Sequence, residues 1–232
     1  MEKRIFFDVM GVIFVVGDDT KDLLIPYIQK MHPNIGAETI TEAYIAASIG
    51  NISSRDFWIS MEFSEDSCSA VEKKYLDENI TLDKHAANVL QELSDCYNIG
   101  LISNDISEWS CFLIAKYDLD KYLKFSIISG DIRCRKPQKQ IYEYALEKAN
   151  CSPDMCVFID DRLNNLYPAL ELGMNVIKFN RAEASDTSLS LPQVVTVSEI
   201  PCKIKSIFNE KADHKHSSFS TIRQTARQKK TR

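Results

Sequence analysis

The first apolar run of the chain reads Ile5-Phe6-Phe7-Asp8-Val9-Met10-Gly11-Val12-Ile13, and it carries a single carboxylate. A continuous apolar run of this kind favours a strand that is covered on both faces. Asp8 then lies at the carboxyl end of the strand, where a carboxylate can attack phosphorus and form an aspartyl-phosphate. Asp8 is therefore our candidate nucleophile, although a lone aspartate in this place also fits a turn or a helix cap.

Apolar runs that favour strands recur and alternate with helix-like segments. We predict strands over 4–8, 98–102, 124–128, 155–159 and 174–179, and helices over 106–116, 138–149 and 162–172. This alternation predicts an α/β fold, namely a Rossmann-like three-layer α/β/α sandwich around a parallel sheet. In such sheets the functional groups gather at the carboxyl ends of the strands.

Residues 16–84 interrupt the alternation. Their apolar residues recur at helical spacing, and Ser53 and Ser64 are candidate helix caps. We therefore predict a helical cap domain over 16–84, inserted into a core domain that comprises 1–15 and 85–210.

The charge of the 232-residue chain is unevenly distributed around a formal net charge of −5. Residues 1–210 are acidic, which argues against a broad nucleic-acid-binding face. Residues 211–232 hold seven Lys and Arg against one acidic residue, and we expect a disordered basic tail there. Nucleic acid is thus an unlikely partner except through that tail, and the oligomeric state stays open.

Other composition features favour a cytoplasmic protein. No apolar run approaches the roughly 20 residues that a membrane span requires. The first strand begins almost at Met1, which argues against a cleaved signal peptide. The seven cysteines are scattered, so we expect reduced cysteines that pack as small apolar residues.

Three later signals fall at predicted strand ends or helix starts, as Asp8 does. Ser103 closes an apolar strand, where its hydroxyl and nearby N–H groups can hold phosphate oxygens. Lys136 precedes a proline and can neutralise charge on a phosphoryl group. Asp160-Asp161 ends another apolar strand, and adjacent carboxylates there suit magnesium. Ser103 alone also fits a helix N-cap, and Lys136 alone fits a surface lysine.

In this order the signals resemble the haloacid dehalogenase-like (HAD) superfamily, over about residues 3–209. The segments Ser129-Gly130-Asp131 to Ile141-Tyr142 and Phe158-Ile159-Asp160-Asp161 to Leu172-Gly173-Met174 look particularly family-like. The branch it resembles carries a helical cap and includes sugar-phosphate phosphatases and the phosphatase domain of soluble epoxide hydrolases.

The resemblance implies roles for the candidate residues. Asp8 is expected to be both the nucleophile and a ligand of Mg²⁺. The backbone carbonyl of Met10 and the carboxylates of Asp160 and Asp161 complete the expected metal site. Phosphate is expected to bind Ser103, Asn104 and Lys136, and Lys136 also counts as catalytic.

Met10 departs from the family pattern. Phosphatases of this superfamily usually carry a second aspartate there, which protonates the leaving group and then activates water. Losing such a group typically costs about 10²–10⁴-fold in rate. A substrate with a good leaving group, such as an acyl phosphate or phosphoanhydride, needs that acid less. Alternatively Asp18 or Asp19 could replace it, although both also fit a turn and an N-cap at the start of the helical cap.

Three functions follow from these residues. The first is a magnesium-dependent phosphatase or phosphotransferase that acts on a small phosphorylated metabolite through an aspartyl-phosphate at Asp8. The second is a catalytically weak or inactive relative that binds a ligand or regulates, which Met10 favours. The third is a metal-independent haloacid dehalogenase, which Asp160 and Asp161 argue against.

Overall fold

The computed structural model describes residues 2–181 and 189–209. Its centre is a six-stranded parallel sheet in the order β3-β2-β1-β4-β5-β6. The strands are β1 (Arg4–Phe7), β2 (Asn98–Ser103), β3 (Leu123–Ile128), β4 (Cys156–Asp160), β5 (Asn175–Phe179) and β6 (Gln193–Val194). The predicted parallel α/β sandwich is confirmed. Its first five strands agree with the predicted ones to within about one residue, and β6 is an addition.

Successive residues of a strand face opposite sides of the sheet, which explains why the strands read as continuous apolar runs. Ile5 and Phe7 of β1 belong to one buried cluster, and Phe6 belongs to the other. All five residues of β4 are buried. The apolar sequence of the central strands therefore fills two cores at once.

Helices cover both faces of this sheet and also form a separate stretch after β1. That stretch begins with a π-helical turn at Thr20–Leu24 and holds α1 (Ile25–Met31), α2 (Ala37–Ser48), α3 (Ser54–Ser60) and α4 (Cys68–Asn79). The others are α5 (Ala86–Ser94), α6 (Ser107–Lys116), α7 (Ser129–Ile132), α8 (Lys139–Ala149), α9 (Leu163–Glu171) and α10 (200–209). Across the described ranges, each helix is too short or too polar to cross a membrane.

The chain enters and leaves the helical stretch side by side. Val15 N–H donates to Thr81 O, and Asp83 N–H donates to Ile13 O. A helical segment joined by two adjacent connections is the arrangement expected of an insertion. The bounds that we gave for a cap domain, 16–84, stay a prediction.

Of the two serines that we predicted as helix caps in this segment, one caps a helix and the other does not. Ser53 caps α3, since its hydroxyl accepts from Asp56 N–H and the Asp56 carboxylate accepts from Ser53 N–H. Ser64 precedes a short 3₁₀ turn, and its side chain donates to Ser67 rather than capping a backbone group.

All seven cysteines are free thiols. The predicted tail, 211–232, lies outside the described residues.

Candidate active site

Lys136 lies between two buried carboxylates at the carboxyl edge of the sheet. Its Nζ is 2.6 Å from Asp8 Oδ1 and 2.8 Å from Asp160 Oδ2. All three side chains are almost completely buried, and Asp160 is 0% exposed. Charges at such depth are tolerated when they are paired and hydrogen-bonded. The fold thus brings together three of the residues that the sequence singled out.

Two neighbouring strands place the carboxylates side by side. β1 and β4 pair in parallel, and Asp8 N–H continues the ladder by donating to Ile159 O at 2.8 Å. Asp160, the last residue of β4, accepts from Arg162 N–H at 2.7 Å and from Asn165 Nδ2 at 3.0 and 3.1 Å. The start of α9 therefore fixes the Asp160 carboxylate with two donors.

Asp161 completes an acidic cluster but has a different environment. Asp8, Asp160 and Asp161 each offer an oxygen within 4.8 Å of the others. The Oδ1 of Asp161 is buried and has no hydrogen-bond partner among the described residues. Burial, followed by the charge of Asp160, raises the pKa of Asp161 to about 6. A buried carboxylate oxygen without a donor is costly unless a cation binds it.

Two glycines make room for this unpartnered carboxylate. A Cβ added to Gly11 or to Gly17 would overlap Asp161 Oδ2, and the distance from Gly17 would be 2.6 Å. Gly11 also has a φ of +81°, a backbone conformation that residues other than glycine rarely adopt. The loop after Asp8 therefore closes directly over Asp161.

Burial and charge oppose each other in the pair formed by Asp8 and Lys136. Burial raises the pKa of Asp8 well above its usual value, and Asp160 adds to this, although Lys136 acts in the other direction. Burial works to lower the pKa of Lys136, but Asp160 and Asp8 outweigh it and hold that pKa above its usual value. The lysine is thus cationic, and a further cation would favour ionised Asp8.

The residues expected to bind phosphate lie at the same edge. Ser103, the last residue of β2, is 1% exposed and lines the cleft above Asp8. Asn104 holds the backbone of Lys136, since its Oδ1 accepts from Lys136 N–H at 2.7 Å and its Nδ2 donates to Lys136 O at 2.8 Å. Both ends of the Asn104 amide are thereby engaged in positioning the lysine. A direct bond from this amide to phosphate stays a prediction.

Met10 lies in the wall of the cleft, where its side chain packs against the larger apolar cluster. The cleft above Asp8 is otherwise lined by polar and charged groups. Lining residues that sequence reasoning did not single out are Gly17, Thr20, Tyr44, Arg135, Arg162 and Asn165. The sequence could have indicated Asn165, because it lies in the first turn of the helix predicted after Asp160. It could not have indicated Tyr44 or Arg135, because the fold brings them to the cleft from segments that are distant in the sequence.

Comparison with known families agrees with this geometry. Residues 5–179 match the family described as haloacid dehalogenase-like hydrolase. The chain belongs to this family. The match covers β1 from its second residue and all of β2 to β5, and it includes every residue of the acidic cluster.

Relatives with assigned activities include two kinds of hydrolase. The chain is 26% identical over 129 residues to a glyceraldehyde 3-phosphate phosphatase of Pyrococcus furiosus, covering 53% of each protein. It is 26% identical over 97 residues to an (S)-2-haloacid dehalogenase of Burkholderia cepacia, covering 41% of this chain and 42% of the relative. The chain thus spans about half of the length of these relatives.

Solved structures share the fold. A 2-haloacid dehalogenase from Pseudomonas syringae pv. tomato aligns with a TM-score of 0.64 at 16% identity, over 89% of this chain and 99% of that one. A HAD family enzyme from Bacteroides thetaiotaomicron, in complex with magnesium and inorganic phosphate, aligns with a TM-score of 0.61 at 18% identity, over 81% and 98%. These identities show a common fold, and they leave the substrate open.

Proposed function

We propose that this chain is a magnesium-dependent phosphatase or phosphotransferase that acts on a small phosphorylated metabolite through an aspartyl-phosphate at Asp8. One observation carries the proposal. The buried ion-paired residues Asp8, Lys136 and Asp160 lie beside Asp161. The buried Oδ1 of Asp161 has no hydrogen-bond partner among the described residues. A buried carboxylate cluster that exceeds its contacting ammonium in charge suits a hard dication.

The donors fit Mg²⁺ in kind. The carboxylates of Asp8, Asp160 and Asp161 and the backbone carbonyl of Met10 would hold the ion, and all are hard oxygen ligands. When bound, Mg²⁺ polarises the phosphoryl group and neutralises part of its charge. The protein chain supplies the remaining functions.

Asp8 is held as a nucleophile. Its Oδ1 accepts from Val9 N–H at 2.6 Å and from Lys136 Nζ at 2.6 Å, which fixes the plane of the carboxylate. Oδ2 takes no part in these two bonds and is the oxygen that attacks. In the first step, a bond forms between Asp8 and phosphorus while the bond to the leaving-group oxygen breaks. In the second, water attacks phosphorus, inorganic phosphate leaves and the Asp8 carboxylate is restored.

Ser103 and Lys136 orient the transferred group. The Ser103 hydroxyl and the Lys136 ammonium face the cleft beside Asp8, where they can donate to phosphoryl oxygens. Asn104 keeps Lys136 in register through its two bonds to the backbone of that residue. Positioning and charge neutralisation of this kind account for most of the catalysis in phosphoryl transfer.

The dehalogenase reaction also uses an aspartate nucleophile, and dehalogenases are among the relatives and structural neighbours. A site that needs no cation gains nothing from placing Asp161 beside two other carboxylates with one buried oxygen that lacks a hydrogen-bond partner among the described residues. The acidic cluster therefore favours phosphoryl transfer. Met10 would make the enzyme weak or inactive if no other group supplied the proton, which is the remaining alternative.

The test is a phosphate-release screen with acetyl phosphate, p-nitrophenyl phosphate and sugar phosphates, with and without Mg²⁺. We expect Mg²⁺-dependent turnover that Asp8→Asn abolishes, because the amide cannot form the acyl phosphate. Chloride release from 2-chloropropionate, measured in parallel, tests the dehalogenase alternative. Phosphate release that persists in Asp8→Asn, or chloride release without Mg²⁺, would overturn the proposal.

A further inference from the structure

Asp19 is a buried carboxyl group of the cleft for which the steps above have no role. It is 7% exposed, and it lines the same cleft as Asp8, Ser103 and Lys136. It precedes the π-helical turn that starts at Thr20, yet its side chain makes no capping bond to that turn. Single π-helical turns are rare and often occur at functional sites. A buried carboxyl group that lines the cleft and does not cap the adjacent turn is a candidate for a catalytic role.

The adjacent Asp18 stabilises the start of the π-helical turn. Its Oδ1 accepts from Lys21 N–H at 3.1 Å, which caps the turn, and its side chain is half exposed. The two acids were equal candidates in the sequence. Both acids line the cleft, but the structure separates them, because Asp18 is exposed and caps the turn whereas Asp19 is buried.

The loop that carries Asp19 is fixed against the acidic cluster. Arg162 Nη2 donates to Gly17 O at 2.7 Å, and Gly17 packs on the Asp161 carboxylate. Asp19 follows Gly17 by two residues. These contacts hold the loop against the acidic cluster, in the wall of the cleft that contains Asp8.

Titratable and charged groups from several elements face Asp19. Burial affects the pKa of Asp19 more than these groups do. They are Asp18 and Arg162 at the mouth, Tyr44 from α2, Tyr75 from α4, and Asp105 after β2. Burial raises the pKa of Asp19 to about 6, with Arg162 opposing and Asp18 adding to the increase. A carboxyl group with a pKa near the working pH exchanges protons in both directions.

We infer that Asp19 protonates the leaving-group oxygen and then deprotonates the attacking water, in place of the carboxylate that is missing at residue 10. This inference rests on the proposed phosphatase function. As the bond between phosphorus and the leaving group breaks, its electron pair stays on the leaving oxygen, which takes the proton of Asp19. In the second step the Asp19 carboxylate takes a proton from water as that water attacks the aspartyl-phosphate, so Asp19 ends protonated, as it began.

Asp105 is a further buried acid outside the metal cluster, and its hydrogen bonds exclude it from this role. Its Oδ1 accepts from Ile106 N–H at 2.8 Å, and its Oδ2 bonds to Ser110 Oγ at 2.6 Å. Both oxygens are therefore committed inside the core. Among the described acids that line the cleft, Asp19 is the buried one that lies outside the metal cluster.

The test compares leaving groups in the Mg²⁺-loaded enzyme. Asp19→Asn should lower kcat/KM for a sugar phosphate, whose alkoxide needs a proton, by about 10²–10⁴-fold. It should lower kcat/KM for acetyl phosphate far less, because acetate leaves without one. The first step needs protonated Asp19, so the wild-type kcat/KM for the sugar phosphate should fall as pH rises above about 6, and the variant should lose that dependence. Asp18→Asn, which removes the charge but keeps an oxygen that can accept from Lys21 N–H, should keep the wild-type contrast between substrates.

A double variant separates catalysis from damage to the fold. Met10→Asp in the Asp19→Asn background should restore sugar-phosphate hydrolysis, because it returns an acid to the cleft. Equal losses on both substrates without this rescue, or no loss on either, would overturn the role of Asp19. Absence of Mg²⁺-dependent turnover by the wild type on every substrate would instead overturn the phosphatase function itself.

Discussion

Lys136 Nζ lies 2.6 Å from Asp8 Oδ1, and this ion pair joins the first strand of the sheet to the loop between α7 and α8. The same ammonium lies 2.8 Å from Asp160 Oδ2, so one cation serves two carboxylates. The loop is held in turn by Asn104, which bonds both the N–H and the C=O of Lys136. The lysine is thus fixed at both its backbone and its charged end.

Replacement of Lys136 by Met should destabilise the protein in Mg²⁺-free buffer. It leaves Asp8 and Asp160 buried together without a cation, and breaking a buried pair in this way costs about 3–5 kcal/mol. The loss should shrink as pH falls, because protonation removes the uncompensated charge. Urea unfolding in EDTA between pH 4.5 and 8 measures this dependence.

The double variant Lys136→Met/Asp8→Asn is the matched control. It removes one of the two unpaired carboxylates, so its unfolding free energy should recover part of the loss at pH 7 while activity stays absent. If the single and double variants were equally unstable at every pH, the cost would come from packing and not from charge.

Much of the fold is predictable from the sequence because its strands are buried on both faces. Continuous apolar runs gave β1 to β5 almost to the residue, and parallel strands necessarily bring their carboxyl ends to one edge. β6 was missed because Gln193–Val194 is too short to produce a pattern. The helices between residues 16 and 84 were expected only as a group, since their bounds depend on packing between them.

The site was less predictable than the fold. Strand ends located Asp8, Ser103 and Asp160, but the bonds between Asn104 and the Lys136 backbone join distant segments, and no local pattern encodes them. The different burial of two adjacent acids, Asp18 and Asp19, depends on how the chain packs around them, and no local pattern in the sequence encodes it.

Gly17→Ala should weaken magnesium binding. The new Cβ would lie 2.6 Å from Asp161 Oδ2, so the carboxylate must move. Displacement of groups around a metal ligand typically costs about 10–100-fold in metal affinity. Isothermal titration with Mg²⁺ measures the change directly, without relying on turnover.

Gly36→Ala is the control for this substitution. At Gly36 an added Cβ meets only Thr39 Oγ1, at the ordinary distance of 3.8 Å. This variant should bind Mg²⁺ as the wild type does. Equal affinities in all three proteins would show that Asp161 takes no part in holding the ion.

Asp105 should make the folded protein less stable as pH rises from about 4 to about 7. Burial raises the pKa of Asp105 to about 7 in the folded state, whereas an unfolded aspartate has a pKa of about 3.9. Between these values the folded protein keeps a proton that the unfolded chain has lost, so the free energy of unfolding falls with pH. Asp19 and Asp161, whose pKa values are also raised, contribute with the same sign.

Asp105→Asn should flatten this dependence by up to about 1.4 kcal/mol per pH unit within that window. Asparagine preserves the shape and can still accept from Ile106 N–H and donate to Ser110 Oγ. Urea unfolding at a series of pH values is the measurement. The exposed Asp66→Asn should leave the slope unchanged, and an unchanged slope in Asp105→Asn as well would contradict the assignment.

Glu72 of α4 connects α3, in the helical stretch after β1, with α6, which follows β2, by bonding one indole from each. Its Oε2 accepts from Trp58 Nε1 of α3 at 2.9 Å and from Trp109 Nε1 of α6 at 2.8 Å. Both indoles are buried, at 0% and 2% exposure, and their rings lie 5.8 Å apart. One carboxylate thus satisfies two buried donors from the two sides of this contact.

Glu72→Ala should therefore lower the free energy of unfolding by about 2–6 kcal/mol, since each of the two buried N–H groups left without an acceptor costs about 1–3 kcal/mol. Glu72→Gln keeps an acceptor oxygen at the same reach, so it should lose about half as much or less. Trp58 and Trp109 are the two tryptophans of the chain, and their fluorescence reports this contact selectively. A red shift of the folded-state emission in Glu72→Ala alone, together with the lower unfolding midpoint in urea, would show water reaching the freed indoles. Equal stability of the alanine and glutamine variants would show that an acceptor oxygen at residue 72 does not stabilise this contact.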